Sequence, residues 1–166
     1  MIIEIMGRQT AIRYSREAHE ETSAVISITD ADLPTRFRNT KHPELRNDPS
    51  NGIKALCRLR FDDVEANGEN GISDEDAQEI VSFVNTVAVK LDKLIVHCEA
   101  GVSRSAGVAA AIMKAVNNDD GGVFGNRELH PNLSCYEKVL EAFGIEVDEI
   151  ELAEKIRRQG NDQTAR

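Results

Sequence analysis

One stretch of the sequence, LIVHCEAGVSRSAGVAAAIM at residues 94–113, restricts the possible folds more than any other. An apolar run ends at His97 and Cys98, a short series of small and polar residues follows, and an alanine-rich segment begins at Ser105. This order predicts a buried strand, a tight loop and a helix. Such a loop lies at the carboxyl edge of a parallel sheet, where ligands bind in α/β proteins.

The rest of the chain alternates between strand and helix patterns. Apolar and β-branched runs predict strands at 1–7, 23–30, 53–61 and 93–98, and helical spacing predicts helices at 73–91, 105–117, 132–143 and 147–158. Ser73, followed by three acidic residues, is typical of a helix start, and this helix is expected to cross between two parallel strands. The pattern predicts an α/β fold with a mostly parallel central sheet flanked by helices.

The length of 166 residues fits one domain. We predict a single domain at residues 1–158, a long surface loop within it at 31–52, and a frayed C-terminal tail at 159–166. No long apolar surface stripe is left unassigned, so we expect a monomer.

Composition narrows the range of partners. The formal net charge of −9 argues against broad nucleic-acid binding and against anionic membranes, because both require a basic surface. The apolar runs are too short to cross a bilayer, and the N-terminal segment does not read as a signal peptide. Three cysteines without a C-x-x-C pair are typical of a reducing compartment, so we expect a cytoplasmic protein with free thiols.

The loop after Cys98 has the composition of an anion-binding site. Backbone N–H groups at a helix N-terminus form a cradle for phosphate, Gly101 permits the tight path, and the guanidinium of Arg104 matches phosphate oxygens. The residues expected to bind phosphate are Glu99, Ala100, Gly101, Val102, Ser103 and Arg104.

Cys98 is the candidate nucleophile, because a positive loop environment favours the thiolate form of a cysteine. Ser105 follows Arg104 directly and is expected to donate a hydrogen bond to the sulfur, which would stabilise it as a leaving group. His97 and Cys98 alternate on the strand and cannot share one metal ion. We therefore expect no metal and no other cofactor.

The arrangement H-C-x-x-G-x-x-R-S resembles the signature of the cysteine-dependent protein tyrosine phosphatase superfamily. The SAVISITD strand, the LRFDD strand end and the later HPN segment are most similar to dual-specificity-type phosphatases, particularly compact bacterial or phage versions. The resemblance covers residues 22–145 and implies a fold like that of the protein tyrosine phosphatases.

The resemblance also implies roles for residues outside the loop. A general acid is expected from the aspartate after the strand that precedes the crossover helix. Asp63 fits the family pattern best, and Asp62 remains an alternative. His97 is expected to orient the loop by hydrogen bonding to its backbone, and Asn132 to brace it from the start of a neighbouring helix.

These residues predict hydrolysis of a phosphomonoester, on a protein or on a small molecule, through a cysteinyl-phosphate. The same cradle would also serve a binding module that holds phosphorylated partners without turnover. An inositol phosphate substrate is disfavoured by Glu99 and by the lack of lysine in the loop. An arsenate reductase would need a shuttling thiol, and neither Cys57 nor Cys135 lies near Cys98 in sequence.

Overall fold

The computed structural model describes residues 1–31, 45–46, 49–65 and 68–164 of the chain, with side chains described through Gly160. Most of the predicted surface loop at 31–52 lies outside these residues. Its described part contains a short 3₁₀ turn, Pro49–Asn51, and the buried side chain of Leu45.

The described strands form one parallel sheet with the order β1-β4-β2-β3. They are β1 (Ile2–Gly7), β2 (Ser23–Thr29), β3 (Ile53–Arg60) and β4 (Lys93–Cys98). β2 is buried along its whole length, as is expected of a central strand covered on both faces. β3 and β4 are parallel, as predicted for the two strands joined by the crossover helix, but β2 lies between them.

Six α-helices are found in the described part of the chain. They are α1 (Arg8–Tyr14), α2 (Asp74–Thr86), α3 (Arg104–Asn117), α4 (Gly121–Phe124), α5 (Leu133–Ala142) and α6 (Glu149–Thr164). α2 has the expected start, because Ser73 and Asp76 form a reciprocal capping box. It ends at Thr86 rather than at the predicted residue 91, and a 3₁₀ turn follows at Ala88–Lys90. α1 and α4 were not predicted. α1 begins at Arg8, directly after β1, and its N-cap Gly7 offers no side-chain cap; α4 is only four residues long.

The C-terminal helix is longer than the sequence predicts. α6 continues to Thr164, so the residues predicted to fray from 159 onwards are helical up to that point. Gln159 contacts the domain, because its Nε2 amide donates to the backbone oxygens of Leu129 at 2.6 Å and of Asn126 at 3.4 Å. These hydrogen bonds hold the helix against the domain at residue 159.

The two faces of the sheet are covered unequally. The larger core cluster includes Ile80 of α2, Ile112 of α3, Val139 of α5 and Leu152 of α6. Ala11 of α1 belongs to a smaller cluster, which includes Val25, Ile53 and Ile95 from three strands. The sheet is therefore flanked by helices on both faces, which confirms the predicted fold class.

Close packing of α3 against α5 brings the start of α5 to the loop after β4. A Cβ atom on Gly107 would lie 2.2 Å from the backbone oxygen of Asn132, so only glycine fits there. Asn132 is the N-cap of α5, and its Oδ1 accepts the backbone N–H of Cys135 at 2.9 Å.

Candidate active site

The loop between β4 and α3 turns sharply at Gly101, where φ is +75°. A Cβ atom at this position would lie 2.5 Å from the backbone nitrogen of Gly7 and 2.6 Å from the carbonyl carbon of Met6. Glycine is therefore required for the backbone conformation and for the close approach to the end of β1.

The carbonyl groups of the loop are held outward by donors from neighbouring elements. The oxygen of Glu99 accepts the N–H of Arg8 at 3.0 Å, that of Val102 accepts the N–H of His130 at 3.0 Å, and that of Ser103 accepts the N–H of Asn132 at 3.1 Å. In a trans peptide the C=O and the following N–H point in opposite directions. The N–H groups of Ala100, Ser103 and Arg104, which follow these carbonyls, are therefore directed away from the neighbouring elements.

His97 and Glu99 lie on either side of Cys98 and make different contacts. The Nδ1 atom of His97 is 3.3 Å from the carbonyl oxygen of Cys98, a backbone contact of the kind expected of this histidine. The carboxylate of Glu99 lies outside the cradle and forms an ion pair at 3.3 Å with Arg8. The side chain of Glu99 is 58 % exposed.

Cys98 is buried at the start of the loop, with 3 % of its surface exposed. Its Sγ atom lies 3.0 Å from the Oγ of Ser105, which is fully buried. The sulfur is therefore in contact with a hydroxyl group rather than enclosed by hydrocarbon alone, and this hydroxyl can donate to a thiolate.

The guanidinium of Arg104 has partners at Nη1 but, among the described residues, none at Nε. Its Nη1 donates to the backbone oxygen of Phe61 at 2.8 Å and forms an ion pair at 2.8 Å with Oδ1 of Asp30. Its Nε is buried and has no acceptor among the described residues. A buried charged donor without a partner is costly, and an anionic ligand in the loop would supply the acceptor.

Asp30 is the residue of this site that the sequence analysis missed. It follows β2 directly, at the same carboxyl edge of the sheet at which β3 and β4 end. Its position in the sequence could have identified it as a candidate, because SAVISITD ends on a charged residue just as LRFDD does. What the sequence could not indicate was its partner, because Arg104 is distant along the chain.

The two candidate acids, Asp62 and Asp63, have different hydrogen-bond partners. Oδ1 of Asp63 accepts the Oγ hydroxyl of Ser103 at 2.7 Å and the Nδ2 amide of Asn132 at 2.9 Å, so Asp63 lies beside the loop. Oδ1 of Asp62 instead accepts the backbone N–H of Ala31 at 2.9 Å, after the end of β2.

Asn132 joins three parts of the site. Its backbone N–H donates to the loop, its Nδ2 donates to Asp63 and also to the oxygen of Val64 at 3.0 Å, and its Oδ1 caps α5. The side chain is nearly fully buried, at 1 % exposure. One residue thus fixes the loop and the acidic segment in relation to each other.

The other two cysteines are in surroundings that keep them protonated. Burial and the neighbouring carboxylate of Glu79 raise the pKa of Cys57 to about 12. Burial, together with the carboxylates of Asp63 and Glu65, raises the pKa of Cys135. Neither thiol is therefore suited to act as a nucleophile near neutral pH.

Neither a metal-binding cluster nor a membrane-spanning helix occurs among the residues that the structure describes. No group of three histidine, cysteine or acidic side chains is placed to hold a metal ion. None of the helices has the length and apolar character needed to span a membrane.

Comparison with known proteins gives matches at the level of structure. Neither a family model nor a curated protein matches this chain. The crystal structure of the PTP-2 phosphatase of Cydia pomonella has a TM-score of 0.53, with 20% identity over 85% of each chain.

Two further solved structures have lower scores. PTPMT1 in complex with PI(5)P has a TM-score of 0.49, with 19% identity over 86% of this chain and 90% of its own. A point variant of human DUSP28 has a TM-score of 0.44, with 13% identity over 98% of this chain and 92% of its own.

The chain thus has the fold of the protein tyrosine phosphatases. The predicted resemblance to the cysteine-dependent protein tyrosine phosphatase superfamily is confirmed at this level.

Proposed function

We propose that this protein is a phosphomonoester hydrolase of the protein tyrosine or dual-specificity type, which acts through a cysteinyl-phosphate. The observation that carries the proposal is the buried Nε of Arg104, which has no acceptor among the described residues, next to a loop whose carbonyl groups accept hydrogen bonds from neighbouring elements. A phosphoryl group is an anion that suits such a cradle, and Cys98 at the start of the loop supplies the nucleophile. A phosphorylated protein or a small phosphomonoester is the proposed substrate.

The proposed reaction has two displacements. In the first, the thiolate of Cys98 forms an S–P bond while the P–O bond to the leaving group breaks and Asp63 protonates the departing oxygen. In the second, the ionised Asp63 removes a proton from water, which forms a new P–O bond as the S–P bond breaks. Arg104 and the loop amides stabilise the equatorial oxygens in both steps, and Ser105 donates to the departing sulfur.

The first experiment tests the nucleophile. The purified protein should hydrolyse an aryl phosphate in the presence of EDTA, and Cys98→Ser should reduce kcat at least about 10³-fold, as removal of a nucleophile does in other hydrolases. Cys57→Ser is the matched control, because this thiol lies away from the loop on β3 and should be dispensable. Activity retained by Cys98→Ser would contradict the proposed mechanism, and phosphate binding without turnover by the wild type would favour a binding module.

The second experiment tests the acid. Loss of a general acid slows the release of a poor leaving group far more than that of a good one, because a good leaving group departs unprotonated. Asp63→Asn should therefore reduce kcat about 10²-fold for an alkyl phosphate and much less for a nitrophenyl phosphate. If Asp62→Asn has this selective effect instead, the assignment of Asp63 is wrong.

A further inference from the structure

A single peptide group connects the C-terminal helix to the proposed phosphate-binding loop. The oxygen of Leu129 accepts the Nε2 amide of Gln159 at 2.6 Å. The N–H of His130, which belongs to the same peptide plane, donates to the oxygen of Val102 in the loop at 3.0 Å. Because a peptide plane is rigid, a rotation at one of these hydrogen bonds also displaces the other.

The residues that follow fix the register of this connection. His130 and Asn132 donate to the oxygens of two consecutive loop residues, Val102 and Ser103. Pro131, between them, has no N–H that would require a partner, and it restricts the residue before it to an extended conformation. The segment at 130–132 therefore orients two neighbouring carbonyl groups of the loop, that of Ser103 together with the N–H of Gly107, which donates to the same oxygen at 2.9 Å.

α6 also holds the other end of the connecting segment. The Nζ of Lys155 lies 2.8 Å from both carboxylate oxygens of Asp120, which is 3 % exposed and precedes α4. The hydroxyl of Tyr136 donates to the same carboxylate at 2.6 Å. The segment at 120–130 is thus fixed to α6 at its beginning through Lys155 and at its end through Gln159.

We infer that Gln159 is a positioning residue for the loop that carries Cys98, although it lies near the end of the last helix and touches no loop residue directly. Its amide orients the peptide group of Leu129 and His130, and this group sets the direction of the carbonyl of Val102. In turn, the amide of Ser103 points into the cradle. The inference rests on the proposed function only in taking phosphate as the anion that the loop binds.

The test compares three single variants. Gln159→Glu has nearly the same shape but places an acceptor against the oxygen of Leu129, whereas Gln159→Lys keeps a donor. Arg158→Gln is the matched control, because it changes the net charge by the same amount as Gln159→Glu one residue away. The side chain of Arg158 is 77% exposed, and it pairs only with Glu154 of its own helix among the described residues.

The measurement is the dissociation constant for inorganic phosphate by calorimetry, at a temperature where circular dichroism shows each variant folded. We expect Gln159→Glu to bind phosphate about threefold to tenfold more weakly than Arg158→Gln, because it loses one hydrogen bond that orients a rigid peptide group next to the loop. Gln159→Lys should bind within about twofold of the wild type, since its ammonium group can still donate to the carbonyl.

Three outcomes decide between the possibilities. Equal phosphate affinity in Gln159→Glu and Arg158→Gln overturns the inference. Equal weakening in Gln159→Lys and Gln159→Glu also overturns it, because the donor would then be irrelevant. A wild type that binds phosphate in this Gln159-dependent way but hydrolyses no phosphomonoester supports the inference and refutes the proposed hydrolase.

Discussion

The two edges of the sheet differ in how their charged groups are paired. At the amino edge, the ammonium of Lys93 lies 3.0 Å from a carboxylate oxygen of Glu4 and 3.0 Å from one of Glu21. The carboxylate of Asp92 accepts the N–H and the hydroxyl of Thr22 at 2.8 and 2.7 Å. These contacts raise the pKa of Lys93 and lower that of Asp92, so both groups stay charged and paired.

The carboxyl edge has a buried cation that is only partly paired. Arg104 is bound by Asp30 and Phe61 at one nitrogen, while its Nε has no acceptor among the described residues. Folding stability alone favours a fully paired arrangement such as that of Lys93. Under the proposed function, the carboxyl edge binds a ligand whereas the ion pairs of the amino edge contribute to stability, and the variants below test this difference.

The largest expected effect is at Arg104. Arg104→Lys keeps the charge but loses the planar fork that reaches a phosphoryl group and Asp30 together. We expect kcat/KM for an aryl phosphate to fall about 10²-fold to 10³-fold, the usual effect of losing a donor to a transition-state oxyanion.

The control at the amino edge is Lys93→Met, which should leave kcat/KM within about twofold and reduce the free energy of unfolding by about 1 kcal/mol or less. If the two substitutions lower activity equally, the functional difference between the edges does not exist.

The next effect is at the glycine of the loop. Gly101→Ala forces a side chain into a positive φ and against the backbone of Gly7, so the loop must move. Gly144 has the same φ of +75°, but a Cβ there would meet no atom within 4 Å.

Both alanine variants should lose about 1–2 kcal/mol of unfolding free energy from backbone strain, and Gly101→Ala should lose more because its Cβ would lie 2.5 Å from the backbone nitrogen of Gly7. Only Gly101→Ala should also lose activity, by at least about tenfold, as expected when oxyanion donors are displaced. Denaturant unfolding and steady-state kinetics on both variants provide the measurement, and an unchanged kcat/KM in Gly101→Ala would contradict the role of the loop.

A smaller effect is expected at Asp30. Asp30→Ala leaves Arg104 with only the oxygen of Phe61 to orient it, so the guanidinium spends less time aligned with the phosphoryl group. We expect a reduction of kcat of about tenfold, as for a charged hydrogen bond worth about 1.5–3 kcal/mol that is lost in part. Glu21→Ala at the amino edge is the control. If the two variants have the same kcat, Asp30 has no role in the proposed active site.

The smallest effect concerns stability and pH at the amino edge. Because the pKa of Asp92 is lowered in the folded protein, its contribution is present above the unfolded pKa of about 4 and is lost as pH falls through the folded value. Asp92→Asn should therefore lower Tm slightly at pH 7, and the difference from the wild type should shrink towards pH 2. Activity at neutral pH should not change, and a constant Tm difference across this range would argue against the linkage.

The parts of the fold that could be predicted are those that depend on residues close together in the chain. Strand periods, the acidic capping box after Ser73 and the strand-loop-helix order around Cys98 depend on residues close in the chain, so the four strands, the parallel sheet and four of the six described helices were predicted. The insertion of β2 between β3 and β4 was not predicted, because the pairing order of strands depends on which surfaces bury best together. α1 was missed because Gly7 leaves no capping signal.

The candidate site was likewise predictable only where its residues lie close together in the chain. The loop residues, Cys98 and Arg104 could be identified because the chemistry requires them at fixed short spacing. Asp62 and Asp63 could not be separated, since both follow the same strand and only their contacts with Ala31 and with Ser103 distinguish them. How each predicted residue acts in catalysis stays a prediction until the variants above are measured.

By itself, the sequence determined that a cysteine, a glycine and an arginine share one tight loop between a strand and a helix, because these residues are close together in the chain. Only the tertiary structure decided which acid lies beside that loop, that Asp30 pairs with Arg104, and that Gln159 reaches the backbone of Leu129. The physical reason is distance along the chain. Contacts between residues far apart form only when the packed core brings their elements together, and no local pattern of residues encodes them.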